Sequence, residues 1–244
     1  WNGGVADTVR NRLIVWGGGH HAYAGNEVYA LGRNDLSMKR LNDPSSPSSE
    51  STPAAADGKA NARHTYSGLS YVPGLDSMFV YSGSLWGNGF AMSDAWLLNL
   101  GTLAWKSLGN LSGPSGAYNA QSDYDPVGKN VVLADRSSLW KINPVTGAAS
   151  LIQSSYGTSL TNTSVVDPKR RLFVTIGPGL IKAANIDTGA NISLSVTGCN
   201  GLLSAGSPDG GPGLAYDSFQ DKIGGWVTGD TVYVLDLDTK SCTS

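Results

Sequence analysis

Apolar residues occur along this chain in short runs rather than long blocks. The runs at 13–16, 78–81, 131–133, 172–176 and 223–226 are only a few residues each, and turn-forming residues bound them. Four are preceded by an acidic turn: Ala6-Asp7, Tyr124-Asp125-Pro126, Val166-Asp167-Pro168 and Tyr216-Asp217. Tyr71-Val72-Pro73-Gly74 is the variant in the remaining case. Runs of this length between Gly, Pro, Asn and Asp read as β-strands joined by tight turns. No window places apolar residues at i, i+3, i+4 and i+7 behind a helix cap, so helix is expected to be nearly absent.

A second hairpin follows each of these. With Tyr29 as position zero, Trp96, Trp140, Lys182 and Tyr233 align with it. Three residues on stand Gly32, Asn99, Asn143, Asn185 and Asp236; six on stand Asp35, Thr102, Thr146, Thr188 and Thr239. Asn or Asp at the first site caps the turn with its own side chain and Thr closes it, while Gly147 and Gly189 supply positive φ. Nine residues on, Met38, Trp105, Ala149, Asn191 and Cys242 begin the next strand. Each unit is thus four short strands, a to d, in a meander. Such units repeating at roughly 40 to 65 residues predict an all-β fold, a β-propeller of four-stranded antiparallel blades. The blades are expected near 1–42, 63–110, 115–155, 158–198 and 212–244 of a single domain.

The glycines after strand b (Gly17-Gly18-Gly19 and Gly83), the aromatic in strand c, and the large residue nine positions on, best in Trp96 and Trp105, resemble kelch repeats. That propeller family includes the central domain of galactose oxidase. The resemblance spans the chain, with the glycine signature confined to the first two repeats. It implies a ring of six or seven blades, so the five visible repeats are expected either to close a five-bladed ring or to be part of a larger one. For function it implies protein binding, glycan binding or an enzymatic scaffold alike.

Composition narrows the options. Charged residues make up 15% of the 244 positions against a usual share of about 25%. Gly, Ser, Thr and Asn make up the difference, a turn-rich β composition. The net charge of -2 without a Lys/Arg cluster gives no attraction for nucleic acid or an anionic membrane. No apolar run approaches the roughly 18 residues needed to span a bilayer. The first residue is Trp1 rather than Met, so the chain is expected to begin after a removed segment or to be part of something longer. The sequons at Asn110, Asn162 and Asn191 are expected by chance in a chain this rich in Asn, Ser and Thr.

The repeats differ most in their connections. From the first-hairpin anchor to position zero takes 22 residues in blade one and 24 in blade two, against 15 or 16 elsewhere. The excess lies in the b-to-c loops at 19–27 and 84–94, and long d-to-a connections follow at 42–62 and 197–212. In an up-and-down blade these connections emerge on one face, and loops that depart from a repeat are where repeat proteins place function. His20, His21, Tyr23, Asn26, Arg63, His64, Tyr66, Trp86 and Asn88 fall in them, with His64 expected at the start of strand a of blade two. Aromatic rings beside amide, guanidinium and imidazole donors suit a sugar or a peptide strand. The alternative is that these rings pack the loops down while Arg63 and Asn26 satisfy backbone groups.

The galactose oxidase resemblance raises copper, which would need His20 or His21, His64, and Tyr23 or Tyr66 to converge. Adjacent residues in an extended segment point opposite ways, which opposes joint use of His20 and His21. That chemistry also needs a cysteine near a ligand tyrosine, and Cys199 and Cys242 are distant in sequence. Hydrolase motifs are absent from the sequence. Asp125, Asp167 and Asp217 recur once per blade and so belong to turns, whereas Asp135 and Asp209 are too isolated to pair as glycosidase acids. An even cysteine count in a secreted-looking chain suggests a Cys199–Cys242 disulfide. Against it, the loop after blade four would have to fold down the outer rim to reach strand d of blade five. The expectation is a secreted or surface-exposed, non-enzymatic, cofactor-free propeller that binds a glycan or protein through the long loops of blades one and two. The alternative is a scaffold within a larger extracellular assembly.

Overall fold

The computed structural model describes residues 3–18, 23–46, 51–204 and 211–244. Five four-stranded antiparallel sheets are set in a ring around a channel, a β-propeller. Blade one is β1 (Gly3–Asp7), β2 (Arg12–Trp16), β3 (Tyr29–Gly32) and β4 (Met38–Arg40). A short strand β5 (Arg63–His64) then precedes blade two, whose strands are β6 (Leu69–Val72), β7 (Ser77–Tyr81), β9 (Asp94–Asn99) and β10 (Trp105–Asn110); β8 (Ser84–Leu85) lies between β7 and β9. Blade three is β11 (Gln121–Asp125), β12 (Asn130–Ala134), β13 (Leu139–Ile142) and β14 (Ala149–Gln153), and blade four is β15 (Thr163–Asp167), β16 (Leu172–Gly177), β17 (Leu180–Asn185) and β18 (Asn191–Ile192). After the single-turn helix α1 (Asn200–Leu203), blade five is β19 (Gly213–Asp217), β20 (Lys222–Trp226), β21 (Val232–Asp236) and β22 (Ser241–Thr243). Helix is scarce, as expected, and α1 is the one α-helix among the described residues.

Packing between blades follows the period-2 alternation of a strand. In β7, Met78 and Val80 join Ile14, Trp16 and Leu98 in the core between blades one and two, while Phe79 and Tyr81 join Val131 and Leu133 between blades two and three. In β12, Val132 and Ala134 turn the other way and meet Val166 and Phe173 of blade four. Leu172, Val174 and Ile176 meet Ile223 and Leu235 of blade five. A strand with a core on both sides needs an unbroken apolar run, which is why these strands were visible in the sequence. Between blades one and two the Trp105 ring lies 4.9 Å from Trp16 and 6.3 Å from Trp96.

The repeated turns work as their residues suggest. Asn99 Oδ1 accepts from the amides of Gly101 and Thr102 at 3.1 and 2.8 Å, Asn143 from Val145 and Thr146 at 2.9 and 3.1 Å, and Asn185 from Asp187 and Thr188 at 3.0 and 2.9 Å. Asp236 accepts from Asp238 and Thr239 at 2.9 and 3.1 Å. The left-handed position one residue after Thr is Gly147 (φ 75°) and Gly189 (φ 74°) in two blades; Leu103 (φ 59°) and Lys240 (φ 53°) hold it elsewhere. In the a-to-b turns Asp7, Asp125, Asp167 and Asp217 each accept backbone amides two or three residues on, which settles them as turn residues.

Arginines join neighbouring turns. Arg10 pairs with Asp7 of its own turn and Asp76 of blade two. Arg171 of blade four holds Asp125 of blade three at 2.6 and 2.7 Å. Arg170 bridges Asp167 to Asp221 of blade five at 2.7 and 2.8 Å. The inner strands surround a channel of about 650 Å³ lined by Tyr66, Ser67, Tyr71, Asp123, Ser164 and Tyr216 among others. Burial raises the Asp123 carboxyl to about 6, although the amides of Val166 and Tyr124 donate to it at 2.8 Å each and work in the opposite sense.

Cys199 and Cys242 form a disulfide, with Cα atoms 5.1 Å apart. The connection after blade four runs down the outer rim, where Thr197 pairs in parallel with Ser241 and accepts the amide of Cys242 at 2.8 Å.

Two outcomes are expected. The bridge closes a loop with a sequence separation of 43, for which chain entropy gives about 4 kcal/mol. Cys199→Ser with Cys242→Ser should therefore lower the urea-unfolding free energy by up to about that amount. Because the folded Asp123 pKa exceeds the ordinary 3.8, the folded state binds more protons than the unfolded one between there and about 6. Asp123 thus favours folding at the acidic end, and that advantage is lost as pH rises through the interval. Melting curves should show wild type losing ground to Asp123→Asn from pH 4 to 6; a constant difference would refute the assignment.

Candidate functional site

The long loops of blades one and two meet on one face of the ring, held by a two-stranded ribbon. β5, from the connection before blade two, pairs antiparallel with β8, from the b-to-c loop of that blade, through Arg63↔Leu85 and His64↔Ser84. His64 therefore belongs to this ribbon rather than to the start of strand a, which begins at Leu69. Gly83 makes the ribbon possible: its φ is +91°, and a Cβ there would strike the carbonyl of His64. Trp86 continues the pairing, donating its amide to Ala62 O at 3.0 Å.

Arg63 lies at the centre of this arrangement and is fully buried. Its guanidinium binds both oxygens of Asp94 at 2.9 and 2.8 Å and reaches the carbonyls of Ser82 (3.1 Å), Asn61 (3.2 Å) and Pro53 (2.8 Å). Asp94 also accepts the Trp96 indole N–H. One planar fork thus ties together the 42–62 connection, the ribbon and strand c of blade two. Asn26 does the same for blade one: its Nδ2 donates to Ala60 O at 2.8 Å and Ser45 Oγ at 3.2 Å, and its Oδ1 accepts the Ser45 amide at 2.8 Å. Both residues act as loop anchors. In sequence they could not be told from ligand contacts, because the donors that satisfy loop carbonyls are the donors that bind sugars.

The remaining candidates lie nearer the surface. Tyr23 is 53% exposed, and its ring folds over Gly18 and Gly25 so that its hydroxyl donates to Glu27 Oε1 at 2.6 Å. Tyr66 holds a left-handed backbone (φ 47°), stands edge-on to His64 with ring centroids 5.8 Å apart, and lines the channel. Trp86 is half-buried, and Asn88 accepts the Phe90 amide at 2.9 Å, shaping the turn that leaves Phe90 exposed. His20 and His21 lie outside the described residues, as does Asp209. Asp135 is buried and accepts from the amides of Ser115, Ser137 and Ser138 and from Trp140 Nε1, a structural role.

Glu27 was not singled out from the sequence. It is 4% exposed, has no cation bonded to it among the described residues, and takes hydrogen bonds on Oε1 from Tyr23 (2.6 Å) and Tyr29 (2.9 Å). Oε2 is buried and has no hydrogen-bond partner among the described residues. Burial pushes its pKa up, but the tyrosine and backbone hydrogen bonds outweigh this and hold it below the ordinary glutamate value. The indole N–H of Trp86 is likewise buried without an acceptor among the described residues. The available signal was the pair Tyr23 and Glu27 with Tyr29 two residues on, inside a loop that the later repeats lack.

Among the described residues no three His, Cys, Asp or Glu side chains approach closely enough to hold a metal ion. Both cysteines are committed to the disulfide, so neither is available for cross-linking to a tyrosine. No helix of the described residues is long and apolar enough to cross a membrane.

Removing one partner of the buried Arg63–Asp94 pair leaves a charge without compensation, at a cost of about 3–5 kcal/mol. Asp94→Ala should therefore destabilise the protein by that order in denaturant titration, whereas Asn88→Ala should change stability by less than about 1 kcal/mol. No protein-family model matches the chain, and no curated protein matches it.

Proposed function

We propose that this propeller is a non-enzymatic binding module that recognises a glycan on the face formed by the long loops of blades one and two. The supporting observation is a pair of buried polar atoms there with no partner among the described residues, Glu27 Oε2 and Trp86 Nε1, the first of them beside the half-exposed Tyr23 ring. Buried donors and acceptors are nearly always satisfied, and the hydroxyls of a sugar would satisfy these two. A carboxylate accepts from vicinal sugar hydroxyls, an indole N–H donates to a ring or hydroxyl oxygen, and the adjoining faces stack on C–H patches. Glu27 stays ionised into mild acid, so it remains an acceptor.

The compartment we propose is extracellular or the cell surface, supported by the Cys199–Cys242 bridge, since disulfides persist in oxidising surroundings. The glycine and aromatic pattern of the first two blades resembles kelch repeats, and we propose that kinship on the pattern alone. A protein ligand is the second reading. It is favoured by Phe90 (61% exposed) and Tyr118 (41% exposed), which rise from loops that touch where Gly116 abuts the backbone of Met92.

The test is binding of the purified chain to a glycan array, followed by calorimetry on the best hit, for wild type, Glu27→Gln, Tyr23→Ala and Trp86→Ala. Each substitution should weaken binding about tenfold or more, the worth of one lost hydrogen bond to a charged group or one stacked ring. The melting temperature should remain within a few degrees of wild type. Absence of glycan binding by wild type, or unchanged affinity in all three variants, would remove the proposal; a peptide-only ligand would favour the second reading.

A further inference from the structure

The central channel has a volume of about 650 Å³, and all five inner strands contribute to its lining. Small-molecule sites typically occupy about 300–1,000 Å³. Among the described residues that line it, Asp123 of β11 is the one with a formal charge; the others are apolar, hydroxyl-bearing or aromatic. That charge is uncompensated. The buried carboxylates of Asp7, Asp94, Asp125 and Asp167 each hold an arginine, and Asp135 takes three amides and an indole N–H. Asp123 takes only the amides of Val166 and Tyr124, and no Lys, Arg or His pairs with it among the described residues. A carboxylate offers about four acceptor sites, so roughly half of its capacity is left. Burial raises this carboxyl to about 6, so at neutral pH it is still ionised.

Phenol rings stand one residue further along the inner strands. Tyr71, Tyr124 and Tyr216 are each the second-to-last residue of strand a, paired with Met78, Val131 and Ile223 of strand b; Ala6 and Val166 hold that position in blades one and four. All three tyrosines line the channel, as does Tyr66. The Tyr216 hydroxyl donates to Asp221 at 2.7 Å, whereas the Tyr71 hydroxyl is buried and has no hydrogen-bond partner among the described residues. Aromatic rings attract cations, more strongly away from bulk water. Pro73, Pro126, Pro168, Val165 and Leu214 add apolar wall. A bare metal ion suits this lining poorly. Calcium takes about six to eight oxygen ligands, and no three His, Cys, Asp or Glu side chains gather among the described residues.

We propose that the channel is a second binding site, for an organic ammonium ion whose nitrogen pairs with Asp123 while its hydrocarbon part lies among the tyrosines and the apolar wall. The uncompensated carboxylate sets the sign of the ligand's charge. The volume and the apolar lining favour an organic body over a small hydrated ion. The acceptor sites left on Asp123 suit ammonium N–H donors, and a hydrogen bond between two charged groups is among the stronger kinds. Tyr66 alone is common to the channel and the loop-face candidates, and neither Glu27 nor Trp86 takes part here. The glycan reading and this one can therefore fail independently.

The experiment follows the amide signals of Tyr124 and Val166, the two donors to Asp123, in two-dimensional NMR spectra of the purified chain at neutral pH. Benzylammonium chloride should shift both signals and saturate with a Kd of about 1 mM or tighter. Benzyl alcohol, a neutral molecule of the same shape, should bind about tenfold or more weakly, the worth of a hydrogen bond between charged groups. Asp123→Asn keeps the size of the side chain and should weaken benzylammonium binding to the level of the alcohol. The alcohol comparison uses wild type alone, so it stands even if the variant folds poorly. Equal affinity for the two probes, equal affinity in wild type and Asp123→Asn, or no shift at up to about 10 mM would each overturn the proposal. So would calcium chloride that shifts the two amides where benzylammonium does not, because the occupant would then be a metal ion.

Discussion

The structure depends on strands that are apolar on both faces. A β-sheet standing alone buries at most one side, and a four-stranded one buries too little to persist. Here β7, β12 and β16 send alternate residues into two different cores, so blades two, three and four are each held by both neighbours and none of the three is an independent folding unit. Fully burying a Val, Leu or Phe side chain contributes about 1.5–3 kcal/mol. With that much at each of several positions per junction, the junctions dominate the stability of the ring, and the hairpin turns mainly set register.

Ion pairs supplement this at the turn face. An exposed pair contributes little, but Asp7, Asp125 and Asp167 have fully buried side chains, and each carboxylate takes backbone amides as well as an arginine. Burial without those partners would be costly, so the arrangement fixes which turn lies beside which. It contributes specificity of neighbour more than gross stability. Asp221, Asp187 and Asp76 are all held below the ordinary carboxylate range by these arginines. Their share of stability is therefore present above that range and is lost as pH falls through their lowered values, the reverse of the trend set by Asp123.

The fold was legible in the sequence because it is repeated. Asn99, Asn143, Asn185 and Asp236 each make the same side-chain turn, and the pattern stands four times in the sequence itself. The Cys199–Cys242 bridge was only half legible: the count suggested it, but the descent of 196–199 along the outer rim is set by pairing with β22, which no local pattern announces. The loop residues were the least legible. Arg63 and Asn26 carry the same donors whether they bind a ligand or satisfy carbonyls, and only their burial and partners show that they do the second. Glu27 passed unnoticed because a lone acid in a polar loop carries no periodic signal; its importance comes from the two phenols brought to one of its oxygens.

The distinction between anchor and ligand contact is also a statement about how the loop face works. Long loops lose much entropy when ordered, and a binding surface made from them is useful only if that cost is met before the ligand arrives. Arg63 and Asn26 meet it: between them they fix the 42–62 connection to the ribbon of β5 and β8 and to the b-to-c loop of blade one. With that framework set, Tyr23 has one hydroxyl contact and a half-exposed ring, and the buried Glu27 is hydrogen-bonded by both Tyr23 and Tyr29. On the proposed reading, replacement of Arg63 would weaken binding by loosening the 42–62 connection and the ribbon together, whereas replacement of Glu27 would weaken it with the loops intact. Melting temperature and affinity measured together separate an anchor from a contact.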